Sequence, residues 1–220
     1  MSKVVIFGIG QLAETVYSYL KHDSGHEIVA LTVDAAFQDR ETHMGLPVVP
    51  FEQVAELYPA ADHAMFVAVS YRAMNRPRQQ KCEQARAKGY TLVSHISPKA
   101  TVSPDAVVGD NCIVCEHNVL QPFVRLEDGV MMGDGNHIGH HTTVGAYTFI
   151  TSHVVICGSV HVGERCFLGA NSTVRDRISL GQECVIGAGA LILRDAPEYS
   201  VYVGAMARRL PADSRTFADL

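Results

Sequence analysis

Three histidines stand within five residues near the middle of the sequence: His137, His140 and His141. An imidazole group ionises near neutral pH, so a histidine in such a position can act as a general base in a proton-transfer reaction. The same pattern would arise if the three side chains were exposed residues at turns, with no part in catalysis. The sequence therefore predicts a candidate site for acid–base chemistry, whose geometry depends on the elements that carry these histidines.

A second candidate site lies near the N-terminus, where the sequence reads Gly8-Ile9-Gly10-Gln11-Leu12-Ala13. This matches the glycine fingerprint of dinucleotide-binding folds with alanine in last place, and Asp34 ends the next predicted strand, where a ribose-binding acid would lie. An NAD site is one interpretation, but residues 1–94 supply only about half of a dinucleotide fold. A glycine turn at a helix N-terminus also suits a diphosphate, or it simply permits a tight turn.

The composition limits the class of protein. The chain has 220 residues, a net charge of −5, 47% hydrophobic and 19% charged residues, which is ordinary for a globular protein and argues against nucleic acid as a partner. No apolar run is long enough for a membrane span. Because a strand begins at Lys3, we expect no signal peptide and a cytoplasmic location, with the six cysteines reduced. Cys112 and Cys115 lack a matching second pair and are interpreted as core residues.

Residues 1–94 alternate predicted strands and helices. The strands are predicted over 3–7, 27–33 and 64–69, and the helices over 12–21, 51–57 and 78–88. Alternation of this kind favours a small parallel sheet with right-handed crossover connections. We therefore predict a first, α/β domain over residues 1–94.

From His95 the sequence repeats every six residues. The second residue of the hexapeptide is aliphatic seventeen times in succession, and glycine follows it in eight cases. A short strand with one inward side chain and a tight corner explains this period, because stacked repeats build a core that a single repeat cannot. The seventeen residues are Ile96, Val102, Val108, Val114, Leu120, Leu126, Met132, Ile138, Val144, Ile150, Ile156, Val162, Leu168, Val174, Leu180, Ile186 and Ile192.

The period predicts a parallel β-helix over residues 95–196, followed by a C-terminal tail over 197–220. Three hexapeptides would form one triangular turn, so that residues eighteen apart stack and the seventeen repeats give between five and six turns. We expect the glycines to permit backbone angles that other residues resist. A β-sandwich does not keep a strict six-residue period, so this alternative is disfavoured.

These features resemble the hexapeptide-repeat acyltransferases, and nearly the whole chain resembles one branch, the bacterial sugar acyltransferases of the PglD/NeuD type. The resemblance rests on segments 6–10, 95–100, 136–141, 166–172 and 203–208. It implies a Rossmann-like nucleotide-sugar-binding domain followed by a left-handed parallel β-helix, assembled as a homotrimer. It also implies acyl transfer from acetyl-CoA, or another acyl-CoA, to an amine or hydroxyl of a nucleotide-linked sugar in polysaccharide or glycan synthesis.

The resemblance assigns roles to individual residues. The general base falls on His140, which would take a proton as the acceptor attacks the thioester directly, and Gly158 would offer its backbone N–H to the acyl carbonyl. Asn136 also fits an internal asparagine ladder with Asn118. The expected acyl-CoA contacts are Gly158, Ala170, Gly204 and Arg208, and the expected acceptor contacts are Gly8, Gly10, Gln11, Asp34 and Asn136.

The chain departs from the resembled branch at three places. The branch often has an acidic residue after the catalytic histidine, which orients the ring, and this chain has His141 there. We keep His141 as a catalytic candidate, with Asp134 as an alternative orienting carboxylate. The branch usually has a histidine after the glycines and later a glycine-asparagine turn, where this chain has Gln11 and the segment 70–75. The acceptor therefore need not be UDP-linked.

Two other functions remain open from the sequence. A metal-dependent hydro-lyase of the same fold would bind zinc through stacked histidines, and His117 and His153 are thirty-six residues apart, or two predicted turns. Carbonic anhydrases of this fold have a third histidine where this chain has Gly158, so no metal is expected. The other alternative is a non-catalytic trimeric binding protein that has the same fold but has lost acyl transfer. The only feature that supports this alternative is His141 in place of an acidic residue.

Overall fold

The computed structural model describes residues 2–207. The first part of the chain contains β1 (Lys3–Phe7), α1 (Gln11–Asp23), β2 (Glu27–Val33), β3 (Thr42–His43), β4 (Leu46–Pro50), α2 (Val54–Leu57), β5 (His63–Val67) and α3 (Arg76–Ala87), with 3₁₀ turns at Ala35–Phe37 and Arg72–Asn75. The strands form one sheet in the order β3-β4-β2-β1-β5, parallel except for the pair β3 and β4. The small parallel sheet predicted from the alternating pattern is confirmed.

The central strand of this sheet, β1, is apolar because it is covered on both faces. Val4 and Ile6 pack in a cluster with α1, whereas Val5 and Phe7 pack in a cluster with α2 and α3. A strand buried in this way carries a continuous apolar run, as strands of parallel sheets do. The sequence did not predict the β3–β4 hairpin. None of the helices in residues 2–207 is long and apolar enough to cross a bilayer.

From His95 the chain forms two-residue strands that assemble into three parallel sheets, here called the first, second and third faces of the coil. The first face contains β6 (His95–Ile96), β9 (Ile113–Val114), β12 (Met131–Met132), β15 (Phe149–Ile150), β18 (Phe167–Leu168), β21 (Val185–Ile186) and β23 (Val201–Tyr202). The second face contains β7 (Thr101–Val102), β10 (Val119–Leu120), β13 (His137–Ile138), β16 (Val155–Ile156), β19 (Thr173–Val174) and β22 (Leu191–Ile192). The third face contains β8 (Val107–Val108), β11 (Arg125–Leu126), β14 (Thr143–Val144), β17 (His161–Val162) and β20 (Ser179–Leu180).

The predicted stacking of residues eighteen apart is confirmed. Ile138, for example, pairs with Leu120 on one side and with Ile156 on the other. Fourteen of the seventeen aliphatic positions are buried. The other three lie in the first turn, where Ile96 is exposed and the next two positions are half-buried, because no turn stacks below them. β23 pairs with β21, so strand pairing of the coil continues into the segment predicted as a tail.

The glycines of the repeat serve a different purpose from the one predicted. Their φ angles are not left-handed. A Cβ atom on Gly139 or Gly145 would instead come within 2.5 Å of the backbone of the next turn. The left-handed residues lie two positions further on and are mostly not glycine, as at Asn111 and His141, with φ of 54° and 58°. The glycines are therefore required by the close approach of stacked turns.

The α/β unit packs on the first face of the coil. Ile113 and Met131, whose side chains leave that face, lie in the same apolar cluster as α1. Arg78 of α3 is fully buried between the two units and donates to three backbone carbonyls, those of Val69, Gly129 and Tyr147, at 2.6–3.2 Å. A buried charge without such partners is strongly destabilising. These bonds therefore fix the position of the α/β unit on the coil.

Candidate active site

His140 lies at the corner where the chain passes from the second face to the third, two residues after the end of β13. Its backbone N–H donates to Oε1 of Gln121 at 2.9 Å, and its carbonyl accepts the N–H of Ser159 at 2.8 Å. The side chain is exposed on the outside of the coil. Bonds from the turn below and from the turn above therefore hold the backbone from which the imidazole extends.

The ring of His140 is oriented by His141. The two Nδ1 atoms lie 3.1 Å apart, so one donates a hydrogen bond to the other, and the ring planes are nearly perpendicular. His141 itself packs on the ring of Phe123, with the ring centroids 4.8 Å apart. Because Nδ1 of His140 is engaged in this way, Nε2 is the atom that can exchange a proton with a ligand.

Asp134 does not replace the missing acid. It lies at the preceding corner, between the first and second faces, beside Glu116. Burial and the neighbouring Glu116 carboxylate raise the pKa of Asp134. Glu116 accepts a hydrogen bond from the hydroxyl of Tyr19 at 3.0 Å, so the two carboxyl groups belong to the junction with α1. The prediction that Asp134 could orient His140 is wrong, because the two residues occupy different corners.

Gly158 stands one turn above His140 at the same corner, as its spacing predicts. The imidazole lies against it, since a Cβ atom on Gly158 would come within 2.8 Å of both Cε1 and Nε2 of His140. In the described part of the chain, the N–H of Gly158 donates to no protein acceptor. A candidate base and an available backbone donor thus lie side by side, which is an arrangement suited to acyl transfer.

Ala170 and Gly204 occupy a different corner, between the first and second faces. The carbonyl of Ala170 accepts the N–H of Gly189 at 2.8 Å, and Gly204 lies against the backbone of residues 188–190. The second face of the coil separates this corner from His140, so a single chain does not bring them together. Arg208, the remaining predicted acyl-CoA contact, lies outside the described residues.

A cleft of about 480 Å³ opens between the N-terminus of α1 and the first face of the coil. Gly10 and Gln11 line one side, and Phe149 lines the other. Gly10 is the N-cap residue of α1 and makes no side-chain cap, so the first N–H groups of the helix are available to a ligand. The positive end of a helix dipole favours an anion at such a place.

Gly8 and Asp34 do not line this cleft. Gly8 has φ of 128°, and a Cβ atom there would come within 3.0 Å of the carbonyl oxygen of Ala68, so the glycine shapes the turn. The carboxylate of Asp34 pairs with Nζ of Lys81 at 2.6 Å, in a separate depression on the α3 side of the sheet. The expected contact between Asp34 and the acceptor is therefore corrected. The Asp34 carboxylate is directed toward α3 rather than into the cleft.

Asn136 also requires correction. Its side chain is fully buried inside the coil, where Oδ1 accepts the N–H of Val154 at 2.7 Å and Nδ2 donates to the carbonyl of Gly133 at 2.7 Å. The N–H of Asn136 donates in turn to Oδ1 of Asn118 at 3.1 Å. The interpretation as an internal asparagine ladder is confirmed, and the expected contact with the acceptor is wrong.

Within residues 2–207 of one chain, neither His117 nor His153 belongs to a group of three potential metal ligands. His117 and His153 lie at one corner with Gly135 between them, where a Cβ atom would come within 2.7 Å of Nδ1 of His153. His137 is half-buried and directed outward from the second face. Within residues 2–207, the one group of three potential ligand atoms within 4.8 Å of one another is Cys115, Glu116 and Asp134, and none of these histidines belongs to it.

Three residues at these sites were not predicted to contribute. Gln121 caps the backbone of His140 from nineteen residues earlier, a spacing that the eighteen-residue turn could have indicated. Phe123 supports His141 from eighteen residues earlier, which is one turn of the coil and could have been predicted from the period. Tyr71 lines the cleft through a contact between the two units of the chain, for which the local sequence gives no signal.

Comparison with known proteins identifies the class. A family model described as the hexapeptide repeat of succinyl-transferase matches residues 159–194. The structure of PerB from Caulobacter crescentus, in complex with CoA and GDP-perosamine, has 28% sequence identity and a TM-score of 0.81, and the match covers 93% of this chain and 95% of that one. No curated protein sequence matches the chain.

Two further structures have the same architecture along the whole chain. The acetyltransferase domain of PglB from Neisseria gonorrhoeae, in complex with acetyl coenzyme A, has 26% identity and a TM-score of 0.79, covering 94% of this chain and 98% of that one. WeeI from Acinetobacter baumannii has 17% identity and a TM-score of 0.62, covering 96% of this chain and all of that one, and it shows the fold alone.

The fold and the matches together define a hexapeptide-repeat protein whose class is acyltransferase. Within that class the chain is similar to sugar acetyltransferases of the PglD/NeuD type, and the resemblance stated from its motifs is confirmed.

Proposed function

We propose that this protein transfers an acetyl group from acetyl-CoA to an amine or hydroxyl of a nucleotide-linked sugar, with His140 as the general base. The observation that carries the proposal is the contact between the imidazole of His140 and Gly158, whose N–H has no acceptor in the described residues. It is supported by similarity along the whole chain to a protein crystallised with CoA and GDP-perosamine and to another crystallised with acetyl coenzyme A.

The geometry suggests how the reaction proceeds. The acceptor nitrogen or oxygen attacks the thioester carbonyl carbon while Nε2 of His140 takes the proton that this atom loses. The negative charge that develops on the carbonyl oxygen is stabilised by the N–H of Gly158. Collapse of the tetrahedral intermediate breaks the carbon–sulfur bond, and the thiolate of CoA receives the proton from His140. His141 keeps the ring in position through the bond between the Nδ1 atoms.

The two parts of the site lie on opposite sides of one chain. The cleft with Gly10 opens against the first face of the coil, whereas His140 lies at the corner between the other two faces. We therefore propose that the chain forms a homotrimer of left-handed coils, in which His140 of one chain faces the Rossmann-like cleft of its neighbour. Acyl-CoA would lie between neighbouring coils, along Gly158 and the corner that carries Ala170 and Gly204.

This arrangement predicts complementation between impaired subunits. At an acceptor concentration well below the wild-type KM, where each parent is slow, co-expressed His140→Ala and Gly10→Asp chains should form mixed trimers that transfer acetyl groups faster than either parent, since one interface then contains an intact His140 and an intact cleft. Native mass spectrometry would verify the mixed composition, and transfer would be measured on the separated mixed species. Mixed trimers no faster than the parents under the same conditions would show that cleft and base act within the same chain.

Gly10→Asp is expected to weaken acceptor binding without weakening the fold. Gly10 has the extended backbone of an N-cap, with φ of −94° and ψ of −177°, and a Cβ atom there meets nothing within 4 Å. Aspartate is a good N-cap, but its charge would repel a diphosphate at the helix N-terminus. We expect the acceptor KM to rise at least ~10-fold, whereas the acetyl-CoA KM and the melting temperature should stay unchanged. Gly10→Ser, which caps without charge, is the matched control, and an equal effect of both changes would contradict a phosphate site.

The role of His141 is tested by a pair of substitutions. His141→Phe keeps the packing on Phe123 but removes the nitrogen that orients His140, so kcat should fall ~10-fold or more. His141→Asp restores an acidic partner, and aspartate tolerates the left-handed backbone at this position, so kcat should match or exceed that of the wild type. Steady-state kinetics with both substrates measures the effect. Wild-type kcat in His141→Phe would show that the histidine pair is incidental.

A further inference from the structure

Tyr71 places an exposed aromatic ring at the mouth of the cleft. Its side chain remains 52% exposed although it contacts Phe149 and Phe167 of the coil, with ring centroids 5.0 and 5.1 Å away. The two phenylalanine rings stack with each other at 6.1 Å and nearly parallel planes. One part of the tyrosine ring is therefore supported by the coil, and the remainder is open to a ligand in the cleft that Gly10 and Gln11 line.

The backbone that follows Tyr71 is strained. Ala73, Met74 and Asn75 have consecutive left-handed φ angles of 48°, 52° and 62°. Alanine and methionine occupy this region only at a cost, and asparagine tolerates it better. Such strain persists only where the surrounding structure holds it, and it is concentrated at functional sites.

Asn75 holds this turn against the coil. Its side chain is fully buried, and Nδ2 donates to the carbonyls of Arg165 and Cys166 at 3.4 and 3.3 Å. The helix α3 begins at the next residue and carries the buried Arg78, which is bonded to the coil as well. The strained turn is thus anchored on its C-terminal side, and Tyr71 is held at a fixed place above Phe149.

We propose that Tyr71 is a specificity-determining residue that stacks on a ring of the nucleotide-linked acceptor. The inference rests on the proposed function and deepens it. Among the described residues, no charged side chain lines the cleft, which is formed by Gly10, Gln11, Leu12, Thr15, Ala68, Ser70, Tyr71 and Phe149. If the diphosphate binds at the N-terminus of α1, the aromatic side of the cleft, formed by Tyr71 and Phe149, is free to contact a flat, weakly polar face of the ligand. Such a face is supplied by the nucleobase or by the C–H side of the pyranose ring.

The test compares Tyr71→Leu, which keeps an apolar side chain on Phe149 but loses the planar ring, with Tyr71→Phe, which keeps the ring. Tyr71→Leu should raise the acceptor KM on the order of tenfold and leave the acetyl-CoA KM unchanged, since stacking on an aromatic ring is worth such a factor. Tyr71→Phe should stay within about twofold of the wild type. Tyr199→Leu, at an exposed tyrosine on another corner of the coil, controls for loss of a surface tyrosine.

Binding measurements identify the ring. Calorimetric titration with UDP and with GDP reports the contact with the base, and titration with the complete acceptor reports the base and the sugar together. Weaker binding of a bare nucleoside diphosphate by Tyr71→Leu assigns the stacking to the base, and a loss seen only with the complete acceptor assigns it to the sugar. Wild-type affinity and KM in Tyr71→Leu would overturn the inference while the proposed function stands. A wild-type protein that binds no nucleotide and acetylates no nucleotide sugar would overturn both.

Discussion

Replacing His140 with alanine should lower kcat by roughly 10²–10⁴-fold and leave the acetyl-CoA KM within a few-fold of the wild type. The imidazole of His140 lies against Gly158, and in the proposed reaction its Nε2 takes up the proton of the acceptor. The side chain is exposed, so its removal does not open a cavity in the core. Because the base acts in the transition state rather than in binding, the loss should appear in kcat.

A surface histidine provides the control for this change. His22 is exposed in the last turn of α1, outside the cleft and the coil corner, and His22→Ala should leave both kinetic constants unchanged. Melting temperatures of the two variants should equal that of the wild type. A kcat of His140→Ala within a few-fold of the wild-type value would remove His140 from the role of base and would favour the binding-protein alternative.

Gly158→Ala should damage catalysis almost as severely, although it adds a single methyl group. A Cβ atom at this position would meet Cε1 and Nε2 of His140 at 2.8 Å, so the imidazole must turn away. The neighbouring atoms are the end of an exposed side chain, and the fold can therefore accommodate the change. The backbone N–H is retained in alanine. We expect kcat to fall at least ~100-fold, because the displaced ring no longer reaches the acceptor proton.

A double variant separates displacement of the ring from other effects. If Gly158→Ala acts through His140, the double change with His140→Ala should be no slower than His140→Ala alone. Additive losses would instead show that the methyl group blocks the thioester directly. Wild-type kcat in Gly158→Ala would mean that the ring does not need to lie against Gly158 during turnover.

The stacking of the coil could be predicted from the six-residue period of the sequence. A six-residue period with three repeats per turn determines which side chains point inward and which residues stack, and so places Gly158 above His140. The period does not reveal why the third residue is so often glycine. Gly139 avoids the backbone of the next turn, and this contact becomes visible only when the separation of stacked turns is known.

Local motifs were a weaker guide in the α/β unit. The glycine turn correctly placed Gly10 at a helix N-terminus, but Asp34 was expected to face a ligand there. Its partner is Lys81 on α3, forty-seven residues away, and no short motif records that pairing. Tyr71 reaches the cleft only because the first face of the coil supplies Phe149 and Phe167 beneath it. The direction of Asp34 and the position of Tyr71 both depend on contacts between segments that are distant in the sequence, so neither could be predicted from a local motif.

The most direct test of acetyl transfer is mass spectrometry of nucleotide-linked sugars incubated with acetyl-CoA and the purified protein. The panel should contain sugars with a free amine and sugars with hydroxyl groups only, because the acceptor atom differs between the two. Reading the acceptor mass avoids a free-thiol assay, which the six cysteines of the protein would disturb. We expect an acetyl mass gain on at least one nucleotide sugar with the wild type, and little or none with His140→Ala. No gain on any nucleotide sugar, with acetyl-CoA or a longer acyl-CoA as donor, would contradict this expectation.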